Sequence, residues 1–116
     1  MGAMASRGEL EQRIMELLWA TEMPMSVADV HQQLCKEREL AYTTVMTVLD
    51  RLAKKHMANR ELVNRAWQYR PANPRYIVVA GEMEALVDAL PDDVRQQTIA
   101  EFGRRLSAAE RDLVAR

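Results

Sequence analysis

With one cysteine, Cys35, the chain cannot form an internal disulfide, and a reducing cytoplasm is the expected compartment. The only histidines, His31 and His56, do not join Cys35 at a metal-ligand spacing, which argues against zinc or copper. No stretch approaches the roughly 18 consecutive apolar residues that a membrane span requires. No charged start leads into an apolar segment, so no secretory leader is expected. A glycine-rich phosphate loop, a nucleophile–base pair and clustered carboxylates at useful spacing are all missing, so neither an enzyme nor a cofactor is expected. An excess of cations is missing too, because the formal net charge is −1. For a nucleic-acid binder the place of the charge matters more than the total.

At 116 residues and 48% apolar content, the chain can fill the core of one domain, or of one small domain with an appendage. Met1-Gly2-Ala3-Met4 reads as the remnant of an expression tag and is set aside. The basic charge is concentrated. Between Arg51 and Arg70 stand six cations (Arg51, Lys54, Lys55, Arg60, Arg65, Arg70) against one anion, Glu61.

The order of elements explains why that concentration matters. Leu10, Ile14, Leu17 and Leu18 recur at helical spacing, with Trp19 beside them as a core anchor, and predict a first helix ending near Ala20, before the break at Pro24. Ser26 and Asp29 form a capping-box start for a second helix, whose inner face carries Val27, Val30 and Leu34. Cys35 is read as a small buried hydrophobe beside that face, and His31 as a surface or boundary residue. Glu37 to Leu40 is a polar link, with a one- or two-residue strand expected near Leu40.

Ala41 to Met57 then divides into two faces at the helical period. Val45, Val48, Leu49 and Leu52 make the stripe that must be buried. Thr44, Thr47, Arg51 and Lys54 or Lys55 fall opposite, hydroxyls near the N-terminus and cations near the C-terminus. Small side chains let a helix backbone approach base edges in the major groove, where Thr can hydrogen-bond and can touch a thymine methyl. Cations further along meet phosphate. The same features also suit a capped surface helix, since Thr43 or Thr44 could cap the first N–H groups and lysines favour a helix C-terminus.

The segment beyond this helix favours DNA. After Met57 the period changes to two: Asn59 to Val63 and Trp67 to Pro71 predict two strands about a turn at Val63-Asn64-Arg65. Trp67, Tyr69 and Pro71 share a face that can pack on the helices, Arg70 lies on the other face, and Arg65 marks the tip. Three helices followed by a hairpin with a cation at its tip make a winged helix-turn-helix, in which the wing contacts phosphate or minor groove and the third helix reads bases.

The last third starts at Asn73-Pro74. Ile77, Val78, Met83, Leu86, Val87 and Leu90 belong to one amphipathic helix. A second, capped by Asp92 or Asp93, carries Val94, Ile99, Phe102 and Leu106, and a capping box at Ser107 to Glu110 opens a third, with Leu113. Their volume is too small for a separate monomeric core, so two protomers are expected to pool them; the alternative is that they fold back on the winged helix.

The run LAYTTVMTVLDRLAKKHMANRELVNRAWQYRPA resembles, without gaps, the winged helix of the penicillinase repressor family, as do GELEQRIMELLW and SVADVHQQL before it. The matching positions include Tyr42-Thr43-Thr44-Val45, Thr47-Val48-Leu49, Arg51-Leu52, Lys55, Arg65-Ala66, Tyr69 and Pro71. The resemblance, over about residues 8–72, implies a dimeric bacterial repressor in the cytoplasm, associated with the nucleoid, with Thr43, Thr44, Thr47 and Arg51 in the groove and Arg65 on the wing. It departs at His56, where many relatives have the glycine that ends the helix, so a less sharp helix end is expected. The Cys-x-Cys pairs of copper-responsive members are missing. A sensor-protease acting on the C-terminal domain is a further implied partner, but Phe102 follows Glu101 here, where members cut by such a protease have an Asn-Phe bond.

The expected fold is mainly α with a small β wing: a winged helix-turn-helix domain at 7–72 and a helical dimerisation domain at 73–116. Double-stranded operator DNA, pseudo-palindromic and controlling β-lactam resistance or stress genes, is expected at Tyr42, Thr43, Thr44, Thr47, Arg51, Lys54, Lys55, Arg60 and Arg65. The expected dimer contacts are Ile77, Val78, Met83, Leu86, Val87, Leu90, Phe102 and Leu106. The competing reading is a winged helix used only for protein contact, with a sigma factor or polymerase.

Overall fold

The computed structural model describes residues 7–116, so the expectation for Met1 to Met4 lies outside the described residues. In chain order the elements are α1 (Arg7–Ala20), β1 (Met25–Ser26), α2 (Val27–Cys35), α3 (Tyr42–Lys54), β2 (Ala58–Val63), β3 (Ala66–Pro71), α4 (Arg75–Asp88), α5 (Asp92–Arg105) and α6 (Ala108–Ala115). The fold is mainly helical with one small antiparallel sheet, ordered β1-β3-β2. Two compact units part between Arg75 and Tyr76.

In the first unit the apolar stripes of three helices meet. Leu10, Ile14, Met15 and Leu18 of α1 pack with Val27, Val30 and Leu34 of α2 and Val45, Val48, Leu49 and Leu52 of α3, and Ala58 and Tyr69 close the core from the sheet. Trp19 is only partly buried; its indole Nε1 donates to the carbonyl of Asn73 at 3.0 Å, so it anchors the rim of the core. The capping box of α2 forms in both directions between Ser26 and Asp29.

The short strand lies at Met25–Ser26, not near Leu40. Met25 pairs with Tyr69 and Ser26 with Gln68, because the chain leaving α1 runs along β3, whose other edge is taken by β2. Cys35 is exposed, contrary to expectation. It stands one residue, or about 100° of helix, past Leu34 and so off the buried stripe. Its Sγ lies 3.3 Å from His31 Nε2, which is 2.8 Å from the carbonyl oxygen of Leu40.

Helix α3 ends sharply despite having no glycine. His56 takes φ +63°, its N–H donates to the Ala53 carbonyl at 3.1 Å, and the Met57 N–H donates to that of Leu52 at 3.0 Å. These are the two bonds of a Schellman cap, with histidine in the left-handed place.

In the second unit α4, α5 and α6 bury no residue. The Ser107–Glu110 capping box opens α6 as expected. Neither Asp92 nor Asp93 caps α5. The N-cap is Pro91, whose carbonyl accepts from the Arg95 N–H at 2.8 Å, and both aspartates lie in the first turn, where they favour the helix dipole.

Candidate nucleic-acid interface

Helix α3 buries Val45, Val48, Leu49 and Leu52, and this fixes what it turns outward. Thr43, Thr44 and Thr47 are exposed near its start. The Thr47 hydroxyl donates to the Thr43 carbonyl at 2.9 Å, which fixes its rotamer and leaves its oxygen lone pairs turned out. Ala41 is the N-cap and makes no side-chain cap bond, so Thr43 and Thr44 are not used as caps. Thr44 and Val45 N–H both donate to the Ala41 carbonyl, at 3.1 and 3.3 Å, which leaves the Tyr42 and Thr43 N–H groups at the positive end of α3 without an intrahelical acceptor. Tyr42 is exposed, and its ring meets His31 edge-on at 5.5 Å.

The cations separate into three groups. Arg51 and Lys55 lean to α1, where Glu11 accepts from Lys55 Nζ at 2.8 Å and lies 3.8 Å from Arg51 Nη1. Lys54 and Arg60 converge from the other side on Asp50, at 2.9 and 3.0 Å. The helix face is thus split, and Arg51 is not in one row with Lys54. On the wing, Arg70 pairs with Glu61 at 3.6 Å, while Arg65 has no ion-pair partner among the described residues.

The hairpin turn explains where Arg65 sits. Asn64 and Arg65 both take positive φ, 51° and 67°, between strands paired from Ala58↔Pro71 to Val63↔Ala66. Two successive left-handed residues match the right-handed twist of a hairpin. Asparagine tolerates that conformation and arginine does so at a cost. The strands are each one residue longer than expected, with the tip where the sequence puts it.

Register places Ala58, Arg60 and Leu62 on the same face of the hairpin as Pro71, Tyr69 and Trp67. Tyr69 is in the core, but Trp67 stays 41% exposed, contrary to the expectation that it packs on the helices. The hairpin reaches past the helical core before Trp67, and the Arg60 guanidinium covers its ring instead, 4.3 Å from the centroid. Between this face and α3 runs a cleft of about 590 Å³, lined by Tyr42, Met46, Thr47 and Asp50 on one side and Arg60, Arg65 and Trp67 on the other.

Asp50 is the residue that reading by segment passes over. It lies one position outside the basic segment beginning at Arg51, yet shares a stripe with Thr43, Thr47 and Lys54 at spacings of i, i+4, i+7 and i+11, a signal that the sequence already contains. Lys54 first, and then Arg60, hold its carboxyl below the ordinary aspartate range. The Tyr69 side chain and then Asp50 raise the already charged Arg60 further.

The expected dimer residues lie in the second unit. Ile77, Met83, Leu86 and Phe102 are exposed, Leu86 by 73%, and Val78, Val87, Leu90 and Leu106 are half-buried. Tyr76, Val79, Ile99, Leu113 and Val114 add to this uncovered apolar surface.

Comparison with known proteins joins these observations. The family described as penicillinase repressor matches residues 7–115. The transcriptional regulator BlaI of Mycobacterium tuberculosis is 41% identical over 117 residues, covering 100% of this chain and 85% of the relative. Among solved structures, the DNA-binding domain of the repressor BlaI superposes with a TM-score of 0.52 at 26% identity, over 57% of this chain and 79% of that one. The monomeric form of Bacillus licheniformis BlaI in complex with the blaP half-operator superposes with a TM-score of 0.50 at 24% identity, over 65% and 88%; this likeness is one of fold.

Proposed function

This chain belongs to the penicillinase repressor family, and on that premise we propose that it is a homodimeric transcriptional repressor whose two α3 helices read the half-sites of a pseudo-palindromic operator. Its action is binding, not catalysis, as befits a family of repressors. The observation that carries the reading is the pairing of an exposed Thr43-Thr44-Thr47 face with a wing whose tip bears Arg65, which has no ion-pair partner among the described residues. In the proposed complex the threonines approach base edges in the major groove, and the free N–H groups at the start of α3 meet a phosphate. Tyr42 stands at the edge of the same groove. Arg65 contacts phosphate or minor groove from the wing and sets the register.

Arg51, Lys54, Lys55 and Arg60 take part only after exchanging Glu11 or Asp50 for DNA. Such exchange costs little at the solvent-facing Lys54–Asp50 pair, because surface ion pairs contribute about 0–1 kcal/mol, and more at Glu11, whose side chain is only 14% exposed. The dimer is assigned to the second unit, whose helices bury nothing within one chain, with Ile77, Met83, Leu86 and Phe102 at its centre. Repression is relieved when the protomers part. A protease acting between Pro91 and Phe102 would have to unwind part of α5, since all of that segment after Pro91 is helical.

The test is selection of genomic fragments by the full chain at physiological salt, followed by titration of a selected duplex and a scrambled one. A two-fold motif is expected, with binding that weakens steeply as salt rises. A protein-contact module would select no motif.

A further inference from the structure

The outward stripe of α3 contains an anion where a polyanion is to dock. Asp50 lies one turn beyond Thr47 and one turn before Lys54, and its side chain is 37% exposed. It occupies two cations, Lys54 Nζ at 2.9 Å and Arg60 Nη1 at 3.0 Å. Against phosphate this is a loss, because it removes two counter-charges and adds a repulsion. As a brace between helix and wing it brings little, since exposed ion pairs contribute about 0–1 kcal/mol. A carboxylate does offer one thing that a threonine or lysine does not: an acceptor-only group, here in the same stripe as Thr43 and Thr47. In the major groove cytosine presents only the N4 donor, whereas adenine sets the N7 acceptor beside its donor, and guanine presents acceptors alone. An aspartate in this stripe is therefore matched by one base.

We propose that Asp50 is a specificity-determining residue: when phosphates draw Lys54 and Arg60 away, its carboxylate accepts a hydrogen bond from the exocyclic amine of a cytosine, and on other sequences it stays unpaired and opposes binding. The proposal rests on the DNA-reading function above and adds to it a base and a residue. The two cations give the free protein a resting state in which the acid is neutralised. Only a duplex that offers both phosphates and a correctly placed cytosine replaces every bond the acid and its partners give up.

The experiment is selection from a randomised duplex pool by the full-length protein and by Asp50→Asn, Asp50→Ala and Arg60→Ala, with affinity measured over a salt series. The wild-type motif should contain a cytosine in each half-site that both Asp50 variants no longer require. Discrimination there should fall by about 5- to 150-fold, the range for one mismatched pair. Binding of both to an unselected duplex should rise, its log–log salt slope steepening by about 0.9 for each cation freed. Arg60→Ala should keep the cytosine, because it removes the brace and leaves the reader. Two results would overturn the proposal: Asp50 variants that select the wild-type motif with undiminished discrimination, or loss of the cytosine in Arg60→Ala as well, which would make Asp50 a brace. If the wild-type protein selects no motif, DNA reading itself fails, an outcome distinct from both.

Discussion

Lys55 Nζ lies 2.8 Å from Glu11 Oε1, so the basic end of α3 is tied to the first helix before any partner arrives. Arg51 shares that carboxylate at 3.8 Å. One acid thus restrains two of the cations expected at DNA. Glu11→Gln should release both, raise affinity for duplexes of any sequence, and steepen the salt slope by about 0.9 for each cation that reaches phosphate. Anisotropy titrations over a salt series measure this. An unchanged slope would mean that Glu11 does not withhold either cation.

Arg51 and Arg65 should differ in kind. Arg51 stands on the flank of α3 beyond Thr44 and Thr47, 3.8 Å from Glu11, which it must leave before it meets DNA. If it reads guanine, Arg51→Ala should cost about 1–3 kcal/mol on the operator and relax one base pair per half-site. Arg65→Ala should weaken operator and random duplex alike, as loss of a phosphate contact does. Equal losses on all sequences for Arg51→Ala would remove it as a base reader.

The elements were legible in the sequence because their periods are local: the stripe Val45, Val48, Leu49, Leu52 is buried as its spacing requires, and the hairpin turns at Asn64-Arg65. Pairings between distant segments were not. Nothing in Met25-Ser26 announces that it will lie along Tyr69 and Gln68, nor does Glu11 announce that it will meet Lys55 across 44 positions. The helical period set Thr44, Thr47, Arg51 and Lys54 or Lys55 together on one outward face. Packing of α1 brings Arg51 and Lys55 to Glu11, while Lys54 turns to Asp50 on the other side, in the stripe of Thr43 and Thr47. Cys35 and Trp67 failed for a related reason, since apolar character alone does not say whether a neighbour is near enough to cover it.

Besides Asn64, which tolerates the conformation, two side chains occupy left-handed positions suited to glycine, and they should respond differently to it. His56→Gly relieves the strain at φ +63° and should stabilise the first unit by up to about 1 kcal/mol, less the entropy glycine gains when unfolded. Arg65→Gly should likewise keep or raise the melting temperature while weakening DNA binding. Urea melts and duplex titrations of both variants separate the effects. An Arg65→Gly protein that binds DNA as well as the parent would show that the charge at the tip is not used.

Acid should loosen specific points of the fold. Arg13 holds the Glu37 carboxyl below its ordinary value, Lys54 and Arg60 do the same for Asp50, and the N-cap bonds of Ser107 do so for Glu110. A folded-state value below the unfolded one means that each bond contributes fully above the unfolded pKa. That contribution fades as pH falls through the depressed value. Carbon NMR titration should give these three midpoints below the ordinary 4.5 for glutamate and 3.8 for aspartate. Glu110→Gln should keep the α6 cap, since glutamine also completes a capping box, and should remove the acid sensitivity of its amides. Midpoints at the ordinary values would contradict the pairings.

Dimerisation should multiply affinity without improving either reader. Every core residue of the first unit, from Leu10 to Tyr69, precedes Ala72, so a chain ending there should fold, and without α4 to α6 it should sediment as a monomer. Once one protomer of the intact dimer holds its half-site, the second meets DNA at high effective concentration, which can raise affinity by about 10²–10⁴-fold with no new contact. The short chain should lose most of that on a duplex carrying both half-sites and almost nothing on a single half-site. Cutting the full chain between Pro91 and Phe102 should have the same effect if α5 belongs to the interface, because the break interrupts a helix that carries Val94, Ile99 and Phe102 at its exposed surface. A truncated chain that still sediments as a dimer would move the interface into the first unit. If the cut protein holds the two-site duplex as tightly as the intact protein, parting of the protomers is not how this repressor is released.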